Sequence, residues 1–341
     1  MLDARLKMRL RGNAPGFGAA PLGNLFDCVA EDEAIALVRH AYAAGVRYFD
    51  TAPHYGNGLS ETRIGKGLRG IARDEYVLSS KVGRILVPDR AAPREQNSYV
   101  DVLPYRQRWD YSRAGTLRSI EDSLQRIGVS RLDIAYIHDI DRATHGAAYA
   151  QRLDEVFGGA IPALTELRER GVIGGFGLGV NDWRVGIEVL ARVDLDIVLL
   201  AGRYTLLDQT ALPELLPLCA ERGVAIVIGG PYNSGILATG AHPADGRPPY
   251  FDYAPAPPER VARVAAIEAV CAEFDVPLRA AALQFPHGHP AIVSVIPGAR
   301  TMAELDQNLE LAAYPVPPMF WQALSDRGLI APGAPVPRAQ S

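Results

Sequence analysis

The sequence predicts a single-domain (β/α)8 barrel. Eight apolar segments of strand length alternate with amphipathic segments of helix length along the 341 residues. The strand-length segments are apolar at nearly every position, which is typical of parallel strands buried on both faces. A doubly wound open sheet is the alternative. It is disfavoured because no Gly-x-Gly-x-x-Gly motif opens a βα unit with an acidic residue about 20 residues later.

The strands and helices follow one another in regular order over residues 1–341. The helix predicted at 34–44 begins after Glu31, Asp32 and Glu33, where the helix dipole favours acidic side chains. Ser60 is the predicted N-cap of the next helix. The predicted strands span residues 16–20, 46–49, 76–82, 132–138, 173–180, 197–201, 224–228 and 292–296. The remaining predicted helices span residues 117–127, 162–170, 182–192, 212–221, 258–274, 278–284 and 301–311.

Two long segments interrupt this order, at 83–112 and 231–257. Both follow strand ends, so both are predicted to lie at the C-terminal face, where the active sites of such barrels are found. Loops this long within a compact domain usually have a function. We therefore expect both loops to border a binding site.

Composition narrows the classes of partner. A net charge of −4 argues against a surface for nucleic acid or anionic membranes. No run of about 18 apolar residues exists, so no transmembrane helix is expected. The three cysteines, Cys28, Cys219 and Cys271, are far apart, which favours a reducing compartment. We expect a cytoplasmic protein that acts on a small molecule, and the sequence leaves its oligomeric state open.

Four polar residues stand at or just after the ends of three apolar strands: Asp50, Tyr55, Lys81 and His138. Taken singly, each has an ordinary explanation as a helix cap, a solvated charge or a core residue. Together they form a set that can move a proton. A lysine ammonium beside a tyrosine favours phenolate and lowers the tyrosine pKa, while an aspartate orients the lysine and a histidine hydrogen-bonds the reacting oxygen. This chemistry suits hydride transfer with a nicotinamide cofactor and requires no metal, and the other histidines show no metal-ligand spacing.

The segment Phe49-Asp50-Thr51-Ala52-Pro53-His54-Tyr55-Gly56, with Ser60, Glu61 and Gly65, resembles the signature of the aldo-keto reductase family. The resemblance extends through Lys81 and His138 to Asn308. It implies a (β/α)8 barrel in which Asp50, Tyr55, Lys81 and His138 form the catalytic tetrad and Tyr55 is the general acid and base. It also implies a nicotinamide cofactor bound without a Rossmann domain.

The same resemblance implies a set of cofactor-binding positions. Asn181 is similar to the residue that holds the nicotinamide carboxamide, and Gly229 stands where many relatives have a stacking tyrosine. The segment 230–237 resembles the loop that closes over the pyrophosphate, and Gln307 and Asn308 resemble the adenine-binding pair. The full set is Asn181, Gly229, Gly230, Pro231, Tyr232, Asn233, Ser234, Gly235, Leu237, Pro297, Gly298, Arg300, Gln307 and Asn308.

The adenosine end departs from relatives that prefer the phosphorylated cofactor. Gly298 and Glu304 occupy positions where those relatives carry cations, and a glutamate near a 2′-phosphate repels it. Arg300 is nevertheless a nearby cation that is available to bind a 2′-phosphate. The sequence favours NAD, with NADP as the alternative.

Within the family, the chain resembles NAD-dependent aldose 1-dehydrogenases, which act on L-fucose, D-arabinose or L-galactose, and it resembles pyridoxal 4-dehydrogenases. We predict oxidation of a cyclic hemiacetal to a lactone, with His54, Tyr105 and Trp109 at the substrate. Three alternatives remain at this point: pyridoxal oxidation, general NADPH-dependent carbonyl reduction, and a cofactor-sensing subunit without turnover.

Overall fold

A parallel sheet of eight strands closes into a barrel in a computed structural model that describes residues 2–12, 14–244 and 246–337. The strands of the chain are β1 Phe17–Gly18, β2 Tyr48–Asp50, β3 Val77–Val82, β4 Arg84–Pro88, β5 Tyr105–Trp109, β6 Leu132–His138, β7 Ile173–Val180, β8 Ile197–Ala201, β9 Ala225–Gly229, β10 Tyr250–Phe251, β11 Ala254–Pro255 and β12 Ile292–Ile296. The barrel order is β1-β2-β3-β6-β7-β8-β9-β12. Gly16 and Gly18 donate backbone hydrogen bonds of 3.0 Å to Val295 and Pro297, which closes the barrel between β12 and β1. The predicted fold class is therefore confirmed.

Helices flank the barrel strands, and five of them were not predicted. The helices are α1 Ala4–Leu10, α2 Glu31–Ala43, α3 Leu59–Gly67, α4 Arg113–Ile127, α5 Arg142–His145, α6 Tyr149–Glu155, α7 Ile161–Glu169, α8 Trp183–Leu190, α9 Leu215–Glu221, α10 Ile236–Thr239, α11 Pro258–Glu273, α12 Leu278–Gln284, α13 Met302–Ala312 and α14 Pro318–Asp326. The unpredicted helices are α1, α5, α6, α10 and α14. Leu2, Leu6 and Leu10 of the α1 region cover the N-terminal end of the barrel, where they join a buried cluster with Tyr48 and Tyr136.

Ser60 does not cap α3 as predicted. The helix begins at Leu59, and its N-cap is Gly58 in the left-handed region (φ 88°). The Ser60 hydroxyl instead donates to the Ala19 carbonyl oxygen at 2.7 Å and contacts the Thr51 hydroxyl at 2.8 Å. Ser60 thus ties α3 to the ends of β1 and β2, which is a tertiary role that local sequence does not reveal.

Both predicted loops contain short elements of their own. Within 83–112, β4 and β5 pair as an antiparallel hairpin outside the barrel sheet. Within 231–257, α10 is followed by the small hairpin β10–β11. Asp245 of this loop and residues 338–341 of the predicted domain lie outside the described residues. None of the described helices combines the length and apolar character needed to cross a bilayer.

Candidate active site

Asp50 and Lys81 form a buried ion pair at the C-terminal end of the barrel. Asp50 ends β2, and Lys81 is the next-to-last residue of β3. The Lys81 Nζ donates to Asp50 Oδ2 at 2.6 Å and to the Thr51 carbonyl oxygen at 2.9 Å. The second Asp50 oxygen accepts from the Ser79 hydroxyl at 2.6 Å. Both charges are therefore compensated, as buried charges must be.

Tyr55 lies over this pair, with its ring centroid 4.7 Å from the Lys81 Nζ. Burial, and next the negative charge of Asp50, raises the pKa of Tyr55 well above its ordinary value. The sequence predicted the opposite direction, from Lys81 alone. The reason for the difference is that burial disfavours the phenolate, and that Asp50 neutralises Lys81, so the pair presents little net positive charge to offset the burial. Tyr55 is thus a protonated tyrosine poised to donate, with an ammonium close enough to stabilise a developing phenolate.

His138, the last residue of β6, meets Tyr55 edge-on with ring centroids 6.1 Å apart. Burial, followed by the charges of Lys81 and Arg84, holds the pKa of His138 well below its ordinary value. The imidazole is therefore neutral near pH 7 and can donate one hydrogen bond to a substrate oxygen. The Tyr111 hydroxyl donates to the His138 carbonyl oxygen at 2.7 Å and fixes the strand end.

A cavity of about 250 Å³ opens directly above the tetrad. Tyr55, Lys81 and His138 line it, together with two tyrosines that the sequence did not indicate as site residues, Tyr99 and Tyr253. Tyr99 stacks on Tyr55 with centroids 6.0 Å apart. A larger cavity of about 620 Å³ lies at the opposite end of the barrel, near Leu10, Ser294 and Trp321, and contains none of the tetrad. We assign the chemistry to the smaller cavity because the proton-transfer groups line it.

The second loop reaches the cavity through Asp252 and Tyr253, both in the left-handed region (φ 50° and 61°). The Asp252 carboxylate accepts two hydrogen bonds from Arg203, at 2.9 and 2.8 Å. Tyr253 and Asn181 both line the cavity. The Arg203–Asp252 pair thus holds this loop over one side of the mouth.

A fixed cluster forms the wall of the cavity beside His138. Arg84 donates to His54 Nδ1 at 2.8 Å, to Gln107 Oε1 at 3.0 Å and to the Asp139 carboxylate. The Arg84 guanidinium lies 4.0 Å above the Trp109 ring. Of the three predicted substrate residues, only His54 lines the cavity. Trp109 supports Arg84 from behind, and Tyr105 lies at the far end of the β4–β5 pairing, opposite Pro88. The substrate roles of all three stay predictions.

Arg84 and Asp139 are site residues that the sequence reasoning missed. Asp139 carried a signal, because it directly follows His138 at a strand end. Arg84 follows Lys81 by three residues within a segment interpreted as loop. Their ion pair joins positions 55 residues apart in the chain, and single-sequence patterns do not reveal such pairs.

The predicted cofactor positions divide into open and buried groups. Gly230 and Gly235 have left-handed backbones (φ 56° and 105°), and a Cβ on either would meet no heavy atom closer than 4.0 Å. They leave an open backbone face of the kind that suits the approach of a diphosphate. The side chains of Asn233 and Leu237, in contrast, are buried, and Asn233 anchors the loop to Gly202 and Thr205.

The adenosine end of the predicted set is arranged around Arg279 of α12. Arg279 donates to Gln307 at 2.8 Å and to Asn308 at 3.3 Å, and its buried Nε has no hydrogen-bond partner among the described residues. The Tyr232 hydroxyl donates to Asn308 at 2.6 Å. The unpaired Nε of Arg279 lies beside the side-chain amides of Gln307 and Asn308, and the glycines at 230 and 235 leave the backbone open. Such a set of hydrogen-bonding groups fits a dinucleotide. The residues present therefore fit a nicotinamide cofactor.

No group of three or more His, Cys, Asp or Glu side chains within 2–12, 14–244 and 246–337 is arranged to hold a metal ion.

Comparison with known proteins agrees with this geometry. The model of the Aldo/keto reductase family matches residues 16–326. Pyridoxal 4-dehydrogenase of Microbacterium luteolum is 43% identical, and the alignment covers 93% of this chain and 94% of that protein. D-threo-aldose 1-dehydrogenase of Pseudomonas sp is 41% identical with the same two coverages, 93% and 94%. The holo form of an aldo-keto reductase of Bacillus halodurans superimposes with a TM-score of 0.71 at 26% identity, covering 92% of this chain and 91% of that one.

Proposed function

Because the chain belongs to the aldo/keto reductase family and is an NAD(P)-dependent oxidoreductase, we propose that it oxidises a cyclic hemiacetal to a lactone. The substrate class we favour is an aldose such as L-fucose or D-arabinose. The observation that carries this proposal is the placement of Tyr55, Lys81 and His138 around one cavity with a polar wall. The names of two relatives support it, since an aldose and pyridoxal both form cyclic hemiacetals.

The proposed chemistry follows from the protonation states of the site. In the oxidation direction, the phenolate form of Tyr55 takes the proton of the anomeric hydroxyl, and neutral His138 donates a hydrogen bond to the same oxygen. The Lys81 ammonium, held by Asp50, stabilises the phenolate that must form before that transfer. A bound nicotinamide would supply the hydride acceptor for the anomeric carbon.

We propose that Asn181 holds the nicotinamide, that residues 230–237 hold the diphosphate and that Arg279, Gln307 and Asn308 hold the adenosine. NAD is the favoured form. Arg300, the nearby cation that the sequence left available for a 2′-phosphate, is paired with two carboxylates, Asp27 and Glu304. A 2′-phosphate would have to displace these carboxylates, which repel it.

Pyridoxal is the second candidate substrate, and the identity of 43% to a pyridoxal 4-dehydrogenase favours it. Its hemiacetal would present its anomeric hydroxyl to Tyr55 in the same way. Tyr99 and Tyr253 offer aromatic surfaces in the cavity to either ring.

The first test is the initial rate of reduced-nicotinamide formation with L-fucose, D-arabinose and pyridoxal, each with NAD and with NADP. We expect turnover of an aldose, with kcat/KM for NAD at least about 10-fold above that for NADP. A factor of about 10 corresponds to the free energy of one charge-assisted hydrogen bond, which the 2′-phosphate of NADP would lack here. Turnover of pyridoxal alone would move the assignment to the second candidate. Turnover of neither, in both directions, would refute the proposal.

The matched variant for cofactor preference is Asp27→Asn combined with Glu304→Gln, which frees Arg300 without changing side-chain size. We expect kcat/KM with NADP to rise by about 10-fold and that with NAD to change by less than about 2-fold. A wild-type preference for NADP would contradict this assignment.

The pH profile of oxidation is a separate prediction. The pKa of Tyr55 is raised well above 10, so the fraction of phenolate increases about 10-fold per pH unit below that pKa. We therefore expect log kcat/KM to rise with pH from 6 to 9 at a slope near 1. Burial and Arg84 lower the pKa of His54 to about 3, and the pKa of His138 is also lowered, so neither histidine should titrate in this range. A plateau below pH 8 or a break near pH 6.5, in buffers of constant ionic strength, would contradict these protonation states.

A further inference from the structure

Two residues of the cavity wall beside the tetrad each carry a polar side-chain atom that has no hydrogen-bond partner among the described residues. These atoms belong to His54 and Asp139, which both line the cavity and both receive hydrogen bonds from Arg84. Arg84 itself is not part of the lining, and its side chain is only 11% exposed. One buried cation therefore controls two groups that a substrate would meet.

Arg84 fixes the tautomer of His54. His54 Nδ1 lies 2.8 Å from Arg84 Nη1 and 2.9 Å from Gln107 Oε1. A guanidinium can only donate, and Gln107 Oε1 already accepts from Arg84, so we assign Nδ1 as an acceptor and the ring proton to Nε2. The same Arg84 Nη1 donates to Gln107 Oε1, so it bridges the two acceptors. His54 Nε2 has no hydrogen-bond partner among the described residues. It is therefore a neutral N–H donor available to a ligand.

Arg84 also orients Asp139 and opposes the rise in its pKa that burial causes. Oδ2 of Asp139 accepts from Arg84 and lies 3.5 Å from His138 Nε2, whereas Oδ1 has no partner within the described part of the chain. The backbone of Asp139 is left-handed (φ 50°), a conformation that aspartate tolerates and that turns the residue away from the path of β6. The open carboxylate oxygen is therefore an acceptor held next to the catalytic histidine.

We propose that Arg84 is the positioning residue that selects a polyhydroxylated substrate, by presenting His54 as a donor and Asp139 as an acceptor to ring hydroxyls of an aldose. This inference rests on the proposed function and deepens it. Adjacent hydroxyls of a sugar ring both donate and accept, so they satisfy such a pair together. Apart from the hydroxyl that reacts, a pyridoxal hemiacetal offers one phenolic hydroxyl and a ring nitrogen, and it satisfies the pair less well.

The support for Arg84 explains why arginine stands at this position. Its guanidinium stacks on Trp109 while three different acceptors occupy its donors, and lysine would supply neither the stacking plane nor the fork of donors. A site built to bond a substrate hydroxyl discriminates strongly against an analogue that lacks it, because the polar groups of the site are then left unpaired.

The test compares kcat/KM for L-fucose with kcat/KM for its 2-deoxy and 3-deoxy analogues, in the wild type and in Arg84→Met and Asp139→Asn. For the wild type we expect a loss of about 100-fold with at least one deoxy sugar. In both variants L-fucose should lose a similar factor, and the further loss on removing the hydroxyl should shrink to less than about 5-fold. Asp139→Asn keeps a side chain that tolerates the left-handed backbone, and cooperative thermal unfolding checks that each variant is folded.

The matched control is Arg106→Met, the same substitution on the same hairpin at an exposed arginine paired with Asp89. It should retain the wild-type rates and the wild-type deoxy discrimination. An unchanged deoxy penalty in Arg84→Met and Asp139→Asn, or equal rates with L-fucose and both deoxy sugars in the wild type, would overturn the inference while leaving the proposed function intact. Turnover of pyridoxal with no turnover of any sugar would overturn both.

Discussion

Replacing Tyr55 by phenylalanine should lower kcat by about 10³- to 10⁴-fold, because it removes the group that accepts the substrate proton and leaves the surrounding packing unchanged. The ring should keep its stacking on Tyr99 and its position above Lys81. Cofactor affinity should stay within about 2-fold of wild type, since the phenolic hydroxyl contributes to the reaction and little to the bound ground state. Steady-state rates and a fluorescence titration with NAD measure the two quantities separately.

The control for this experiment is Tyr314→Phe, which removes a hydroxyl bonded to the Asp275 carbonyl oxygen far from the cavity. It should keep full activity. A Tyr55→Phe enzyme with more than about a tenth of the wild-type kcat would refute the role given to Tyr55. A large loss of cofactor affinity would point to a role in binding instead.

Replacing Glu61 by alanine should destabilise the protein by about 3 kcal/mol, because it removes a fully buried carboxylate and leaves the partly buried Arg126 without its counter-ion. Glu61 is fully buried in α3, where it accepts from the Ser80 hydroxyl at 2.6 Å and from Arg126 Nε of α4. The substitution removes both contacts, so α3 loses a connection to β3 and to α4. The midpoint of urea unfolding, followed by tryptophan fluorescence, measures the effect.

Glu31→Ala is the matched control, because Glu31 forms an exposed ion pair with Lys66, which is also in α3. It should cost less than about 1 kcal/mol. Combining Glu61→Ala with Arg126→Ala should recover part of the loss, since it removes the uncompensated charge. A Glu61→Ala variant as stable as Glu31→Ala would show that water compensates Arg126 and that the buried pair contributes little.

The residues next to Tyr55 in the family signature thus have structural roles that the sequence alone did not reveal. Glu61 and Ser60 tie α3 to neighbouring strands, and a Cβ on Gly65 would lie 2.0 Å from the Ile127 carbonyl oxygen. Gly65 therefore permits α3 to approach the end of α4 closely. The signature combines one proton-transfer group with the packing that holds its loop in place.

The long apolar strands were predictable residue by residue, and the short or polar ones were not. The predicted bounds 132–138, 173–180 and 292–296 are those of β6, β7 and β12, because continuous apolar runs leave little choice of boundary. The first strand was predicted over five residues and pairs over two. The strands β4 and β5 were missed because charged and apolar residues mix in both, and their pairing depends on distant partners.

The convergence of the four tetrad residues was predictable because the carboxyl ends of parallel strands meet at one end of a barrel. The direction of the Tyr55 pKa shift was not predictable, since it depends first on how deeply the phenol is buried and then on how closely Asp50 neutralises Lys81. A distance of 2.6 Å between charges is a property of packing that residue types do not reveal. The same holds for Arg84, whose three acceptors come from three separate parts of the chain.

The position of the β4–β5 hairpin has a consequence for how such enzymes diversify. The tetrad is built on and beside barrel strands, where a substitution disturbs the core, but Arg84 and Gln107 stand on a two-stranded unit outside that sheet. Mutations in the β4–β5 hairpin can therefore change the residues that we propose select the substrate, while the proton-transfer residues on the barrel stay unchanged. Divergence among sugar and vitamin dehydrogenases on one scaffold would then require changes to an accessory hairpin and not to the barrel.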